Sequence, residues 1–280
     1  MNTLGGGTTH AAMAMRIWSK QVRPIAAVGR DFPPALIETL GDYFDLQGLV
    51  RRDLPNPRAW QLFEADGSRS EVFRTAYADF LAINPLPHEL PRDRLRAAGV
   101  HLQSFSPEPS LQWIDRLQDV GSPYILFEPW DNFCVRSNFE LFCQIARRCD
   151  AVSPNLNEAR ALTSLWEPPE VAACLLQNGA ALVVLRMGAQ GSLVASRAGD
   201  FFMVPAAPVE QVVDVTGAGN AYCGGWISGM VESGDLASAA TRAAVSASLA
   251  IEQFGALYPL PGLAERAAAR LKTAEAAGSK

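Results

Sequence analysis

The residues best suited to chemistry stand in one stretch, Val213-Asp214-Val215-Thr216-Gly217-Ala218-Gly219-Asn220. An apolar run ends in an acid, a Gly-Ala-Gly turn follows, and a helix of small residues begins at the turn. The first N–H groups of such a helix lack intrahelical partners, and the helix dipole favours an anion beside them. A phosphate suits that place. An isolated Gly-Ala-Gly is as consistent with a plain strand–turn–helix joint whose glycines serve only positive φ. Other phosphate and hydrolase signatures are absent: no GxxxxGK[ST], no GxGxxG opening an N-terminal helix, no HExxH and no GxSxG. His88 and His101 stand alone and read as structural.

The rest of the composition narrows the setting. With 280 residues, 49% of them apolar and 19% charged, the chain has the make-up of a soluble globular protein with a sizeable core. A net charge of -5 and the lack of Lys/Arg-rich runs argue against a nucleic-acid partner. The five cysteines are scattered without a CxxC pair, and read as free thiols rather than a zinc site or disulfide framework. No apolar run is long enough to span a membrane. Arg16, Lys20, Arg23 and Arg30 precede the first acid, Asp31, as in some organellar targeting segments. The same segment carries a motif, so a cytoplasmic location is the expectation.

The elements that must position the turn follow in order. Gly5 to His10 opens into an apolar helix over Ala11–Trp18, with Thr8 or Thr9 as N-cap. Ile25–Gly29 reads as a buried strand and Asp31–Leu40 as a helix. Residues 48–81 change character: short alternating stretches and the turn Ala65-Asp66-Gly67-Ser68 predict a β-rich inset. From Val100 onward strands alternate with helices, through Tyr124–Glu128, Ala151–Ser153 and Ala181–Arg186, which predicts a parallel sheet covered on both faces. Ligands in such sheets sit beyond the carboxyl ends of the strands. Asn155, Gly188 and Gly217 all fall just past such ends. The last third is Ala-rich and helical.

With these pieces in place, the chain resembles the ribokinase (PfkB) superfamily of carbohydrate kinases. The resemblance rests on several motifs in register. Asp214-x-Thr216-Gly217-Ala218-Gly219 matches the C-terminal signature, and Gly5-Gly6-x-x-x-His10-x-Ala12 lies where the N-terminal substrate motif falls. Val28–Asp31 resembles the strand end that follows it. Ala65–Arg69 resembles the lid hairpin, Asn155-x-x-Glu158 the Asn-x-x-Glu segment, and Arg186-x-Gly188-x-x-Gly191 the nucleotide-side glycine turn.

The resemblance implies a single domain over 1–280. It would be an α/β, ribokinase-like three-layer sandwich with a mostly parallel central sheet and a small β-rich lid at about 48–81. It implies transfer of the ATP γ-phosphoryl group to a hydroxyl of a sugar or similar small molecule. Gly217, Ala218 and Gly219 would form the anion hole, and Arg186, Gly188 and Gly191 would approach the nucleotide. Gly5, Gly6 and His10 would meet the substrate. Asn155 and Glu158 would place Mg²⁺, unless they only close a capping box. Asp214 and Thr216 would shape a monovalent-cation loop suited to K⁺. A homodimer through the lid would be in keeping with the family.

Three departures accompany the resemblance. Asn220 stands where the family carries the Asp that takes the substrate proton, and a carboxamide has no usable basicity. General-base help is worth about 10²–10⁴ in rate, so low activity is one expectation. A catalytically inactive pseudokinase that binds nucleotide or metabolite and acts through partners is the alternative. His10 replaces a sugar-binding Asn. The family's first strand, bearing an Asp, has no counterpart before Gly5; a truncated sequence would explain this and would leave the sheet short of a central strand.

Overall fold

The computed structural model describes residues 3–63, 69–104 and 107–278. The Gly-rich opening leads into α1 (Gly7–Trp18). Its N-cap is Gly6 at φ 94°, not Thr8 or Thr9, which lie inside the first turn. Glycine reaches that dihedral without strain, and the Gly6 carbonyl accepts from Thr9 and His10 N–H at 3.0 and 3.1 Å. Then come β1 (Ala26–Val28), α2 (Pro34–Tyr43), β2 (Leu49–Arg51), β3 (Ala59–Phe63), β4 (Arg69–Phe73) and α3 (Tyr77–Ala82). The second half is β5 (Gly99–Ser104), α4 (Pro107–Val120), β6 (Tyr124–Pro129), α5 (Phe139–Ala146), β7 (Ala151–Val152), α6 (Leu156–Thr163) and α7 (Pro168–Gln177). It continues with β8 (Leu182–Arg186), β9 (Ser192–Ser196), β10 (Phe201–Val204), α8 (Ala218–Ser233), α9 (Leu236–Ala250) and α10 (Leu263–Gly278).

The main sheet has six strands in the order β10-β9-β8-β7-β6-β5. Strands β5 to β8 run parallel, and β9 and β10 return antiparallel at one edge. β1 and β2 form a separate parallel pair, and β3 with β4 an antiparallel hairpin whose predicted turn, 65–68, lies outside the described residues. Among the described residues β1 and β5 each pair on one side only.

The period-2 alternation of the strands divides the core into two. Leu126 of β6 and Val184 of β8 face a cluster with α1, α8, α9 and α10. Their neighbours Ile125, Phe127, Val183 and Leu185 face a cluster with α4, α5, α6 and α7. The result is the expected three-layer α/β sandwich. No helix among the described residues is long and apolar enough to cross a membrane.

Small residues let α8, which starts at the Gly-Ala-Gly turn, lie close to its neighbours. A Cβ on Gly229 would come within 2.5 Å of the Ala239 Cα, and one on Gly224 would overlap the Ala11 carbonyl oxygen in α1. Gly→Ala in an open helix position gains up to about 1 kcal/mol, whereas overpacking costs about 1–3 kcal/mol. Gly224→Ala is therefore expected to lower the melting temperature by a few degrees. Gly41→Ala in α2, where the nearest atom is 3.9 Å away, is expected to hold or raise it. Calorimetric melting of the two variants checks the contrast.

Candidate active site

The Gly-Ala-Gly turn is built by its neighbours. Gly217 is the N-cap of α8 at φ 77°, a left-handed position that favours glycine. A Cβ there would also overlap the ring of His10, which is 3% exposed. His10, expected at the substrate, thus packs under the turn and shapes it from α1. Asp214 Oδ1 accepts from Thr216 N–H at 2.8 Å and closes the approach. Ala218 N–H reaches the Val215 carbonyl at 3.3 Å, and Ala221 N–H reaches that of Gly217 at 2.8 Å. Among the described residues the N–H groups of Gly217, Gly219 and Asn220 have no acceptor, so Gly217 and Gly219 keep free N–H groups as expected of an anion hole and Asn220 adds another. The cradle is Gly217 to Asn220.

Behind the cradle lies a buried polar cluster gathered from three strands. Glu128 near the end of β6 has a side chain only 5% exposed. Its Oε1 accepts from Arg186 Nη1 at 2.8 Å, and its Oε2 from Asn220 Nδ2 at 2.8 Å. His101 Nε2 of β5 lies 2.7 Å from the same Oε2, with the carboxylate as acceptor. Arg186, the last residue of β8, donates to the Ser153 carbonyl from Nε and Nη2 at 3.2 and 2.8 Å and stands 3.4 Å from Glu158 Oε2. Its guanidinium also fills the space beside Gly219, where a Cβ would overlap Nη1. His101, read as structural from sequence, is a member of this cluster.

Charge and burial pull the two acids apart. Burial pushes Glu128 up, but the Arg186 charge and the bonds from His101 and Asn220 outweigh it and hold the carboxyl at about 2. Burial dominates at Glu158 and raises it to about 7 against the pull of Arg186. The Asn155–Glu158 pair forms the capping box: Glu158 N–H donates to Asn155 Oδ1 at 2.9 Å and Asn155 N–H to Glu158 Oε2 at 2.7 Å. Each side chain keeps free lone pairs and lines the same cavity as the cradle. The pair therefore fits a hydrated divalent ion as well as capping α6.

The cavity has a volume of about 2600 Å³ and runs from the cradle to the hairpin β3–β4. Gly5 and Gly6 line it, with Gly7 pressed against Gln103 and Asn220. The N-termini of α1 and α8 thus converge on Asn220. Phe73 and Phe80, with ring centroids 4.7 Å apart, pack on Trp130 just past β6 and tie the hairpin to the floor of the site. Gly188 (φ 59°) and Gly191 (φ 86°) shape the β8–β9 turn. Gly191 is needed because a Cβ would overlap the Val204 carbonyl. Arg186 lines the cavity among its described residues; these two glycines do not.

Residues 94–263, more than half of the chain, match the model of the pfkB family carbohydrate kinases. The chain belongs to that family. The PfkB assignment agrees with a cytidine kinase of Thermococcus kodakarensis, 28% identical over 227 residues, covering 80% of this chain and 79% of the relative. The fold matches the nucleoside kinase of Methanocaldococcus jannaschii, with TM-score 0.76, 20% identity, 96% of this chain and 86% of that one covered. It also matches a putative ribokinase II from E. coli solved with ATP and Mg²⁺, with TM-score 0.75, 20% identity and coverage of 97% and 88%. The carbohydrate-kinase-like reading and the ribokinase-like fold both stand.

The depressed Glu128 pKa has a consequence for stability. A group whose folded value lies below its ordinary 4.5 stabilises the fold above 4.5 and loses that contribution as pH falls toward about 2. One such carboxyl steepens the acid limb by up to about 1.4 kcal/mol per pH unit. The double variant Glu128→Gln/Arg186→Met, which strands neither charge, is expected to have a shallower limb. Urea unfolding between pH 5 and 3 measures it, and equal slopes would contradict the assignment.

Proposed function

We propose that this PfkB protein is an ATP-dependent kinase acting on a hydroxyl of a nucleoside or a related sugar. The observation that carries the reading is the cradle: unpaired N–H groups at the start of α8 open onto a large cavity shared with Arg186, Asn155 and Glu158. The cytidine kinase and nucleoside kinase among its relatives support a nucleoside acceptor. No observation favours the non-catalytic alternative over it.

In this reading the N–H groups of Gly219 and Asn220 hold the transferring phosphoryl as its charge spreads over three oxygens. Arg186 is fixed beside Gly219 and adds positive charge from below. Mg²⁺, when bound at Asn155 and Glu158, neutralises charge on the phosphates. Gly5 and Gly6 shape the wall at the acceptor end. Thr216 Oγ1 is buried without a partner among the described residues, which supports a monovalent cation such as K⁺ beside Asp214. Exposed Trp60, Leu62 and Val72 on β3 and β4 support a homodimer through the lid.

The test is calorimetric titration with Mg·ATP followed by phosphorylation assays on cytidine, adenosine, ribose and fructose. The wild type is expected to bind ATP and phosphorylate at least one acceptor. Gly217→Ala, which forces a Cβ into His10 at a left-handed φ, is expected to cut turnover by about 10²–10³, the typical loss when one such donor is misplaced. Absence of ATP binding, or full activity in a folded Gly217→Ala, would contradict the reading.

A further inference from the structure

We infer that Glu128 is the catalytic base of this site: it takes the acceptor hydroxyl's proton while Asn220, at the family's base position, orients it. The inference rests on the kinase reading above. Asn220 cannot accept a proton usefully through its amide, yet its Nδ2 donates to Glu128 Oε2 at 2.8 Å. A carboxylate therefore sits one hydrogen bond from the place where the family's acid would be. An acid is present at the site, on β6 rather than on α8.

The arrangement of its oxygens points the same way. An ionised carboxylate oxygen has about two lone-pair sites. Oε2 uses both, on His101 and Asn220. Oε1 uses one, on Arg186, and it lies 3.5 Å from the position a Cβ would take on Gly219. Oε1 is thus the oxygen with a lone pair left over, although Arg186 occupies its Gly219 side. Glu128 also lies near the carboxyl end of a parallel strand, where ligands bind in such sheets, and lines the cavity.

An acid within the otherwise apolar run Tyr124–Pro129 is costly to bury, and the cluster holds it ionised. The weak basicity this implies is tolerable, because phosphoryl transfer passes through a loose transition state that asks little of the base. The step balances simply. The acceptor oxygen bonds to the γ-phosphorus, the bond from that phosphorus to the β-phosphate oxygen breaks with its electron pair leaving on ADP, and the hydroxyl proton passes to Glu128.

The experiment compares wild type, Glu128→Gln, Glu128→Asp, Asn220→Asp and the exchange variant Glu128→Gln/Asn220→Asp, each with ATP and the acceptor that the wild type phosphorylates. Calorimetry gives ATP affinity, steady-state assays give kcat and KM, and circular dichroism reports folding. Glu128→Gln is expected to lose about 10² in kcat, the low end of general-base contributions for so weak a base, with KM and ATP affinity within a few-fold. Asn220→Asp alone is expected to be slower than wild type, because it sets two carboxylates against each other. Glu128→Asp, which keeps the carboxylate one methylene further back, is expected to retain more kcat than Glu128→Gln at unchanged KM and ATP affinity, whereas the exchange variant reports only whether an acid at position 220 can serve instead.

A folded Glu128→Gln with wild-type kcat would overturn the inference, as would Asn220→Asp exceeding the wild type. If Glu128→Gln does not fold, Glu128→Asp decides: folded and ATP-binding with kcat unchanged, it overturns the inference; a loss in kcat alone, with KM and ATP affinity held, supports it. A wild type that neither binds ATP nor turns over any acceptor sinks the kinase reading itself, and the inference with it.

Discussion

The ion pair between Arg186 and Glu128 holds the site together. It joins the ends of β8 and β6, reaches Ser153 past β7, and presses against Gly219 at the start of α8. Taking two charges out of water costs several kcal/mol each, and their attraction repays this only where further hydrogen bonds satisfy them. Here Ser153, His101 and Asn220 complete the set. The pair is not an economical way to stabilise a sheet. Its return is position: the guanidinium and carboxylate fix the underside of the cradle and the rotamer of Asn220.

The cradle in turn ties two helices to the sheet. His10 from α1 fills the space that a side chain at residue 217 would need, and Gly7 abuts Asn220. Two helix N-termini therefore meet at one point, and both dipoles favour negative charge there. An anion in this place faces N–H groups from α8 with Arg186 behind it, while the aromatic contacts of Trp130 bring the lid over the other end of the cavity. The geometry suits a reaction whose catalysis is mostly positioning and charge stabilisation.

Much of this was legible in the sequence because it is local. The Gly-Ala-Gly turn, the Asn155–Glu158 capping box, the β8–β9 glycine turn and the alternation of strands with helices all follow from residues within a few positions of one another. The parallel sheet was legible for the same reason. What sequence reasoning missed was assembled across strands: Glu128 and His101, unassigned from sequence, meet Arg186 only through the order β5-β6-β7-β8. A signal did exist, since an acid in Tyr124–Pro129 interrupts a buried apolar run and requires a partner. His101 in Val100–Leu102 carried a similar one. The N-cap of α1 was misplaced because a glycine at positive φ outcompeted the two threonines, a backbone effect with no side-chain signature.

The central claim is that the transferring phosphoryl sits on the N-terminus of α8 with Glu128 beside it. A crystal structure with a non-hydrolysable ATP analogue and the phosphorylated acceptor's parent alcohol tests this most directly. The account expects the γ-phosphate within hydrogen-bonding distance of the Gly219 and Asn220 N–H groups, the Arg186–Glu128 pair intact, and the acceptor hydroxyl next to Glu128 Oε1. A triphosphate bound away from α8, or an acceptor hydroxyl remote from Glu128, would contradict it.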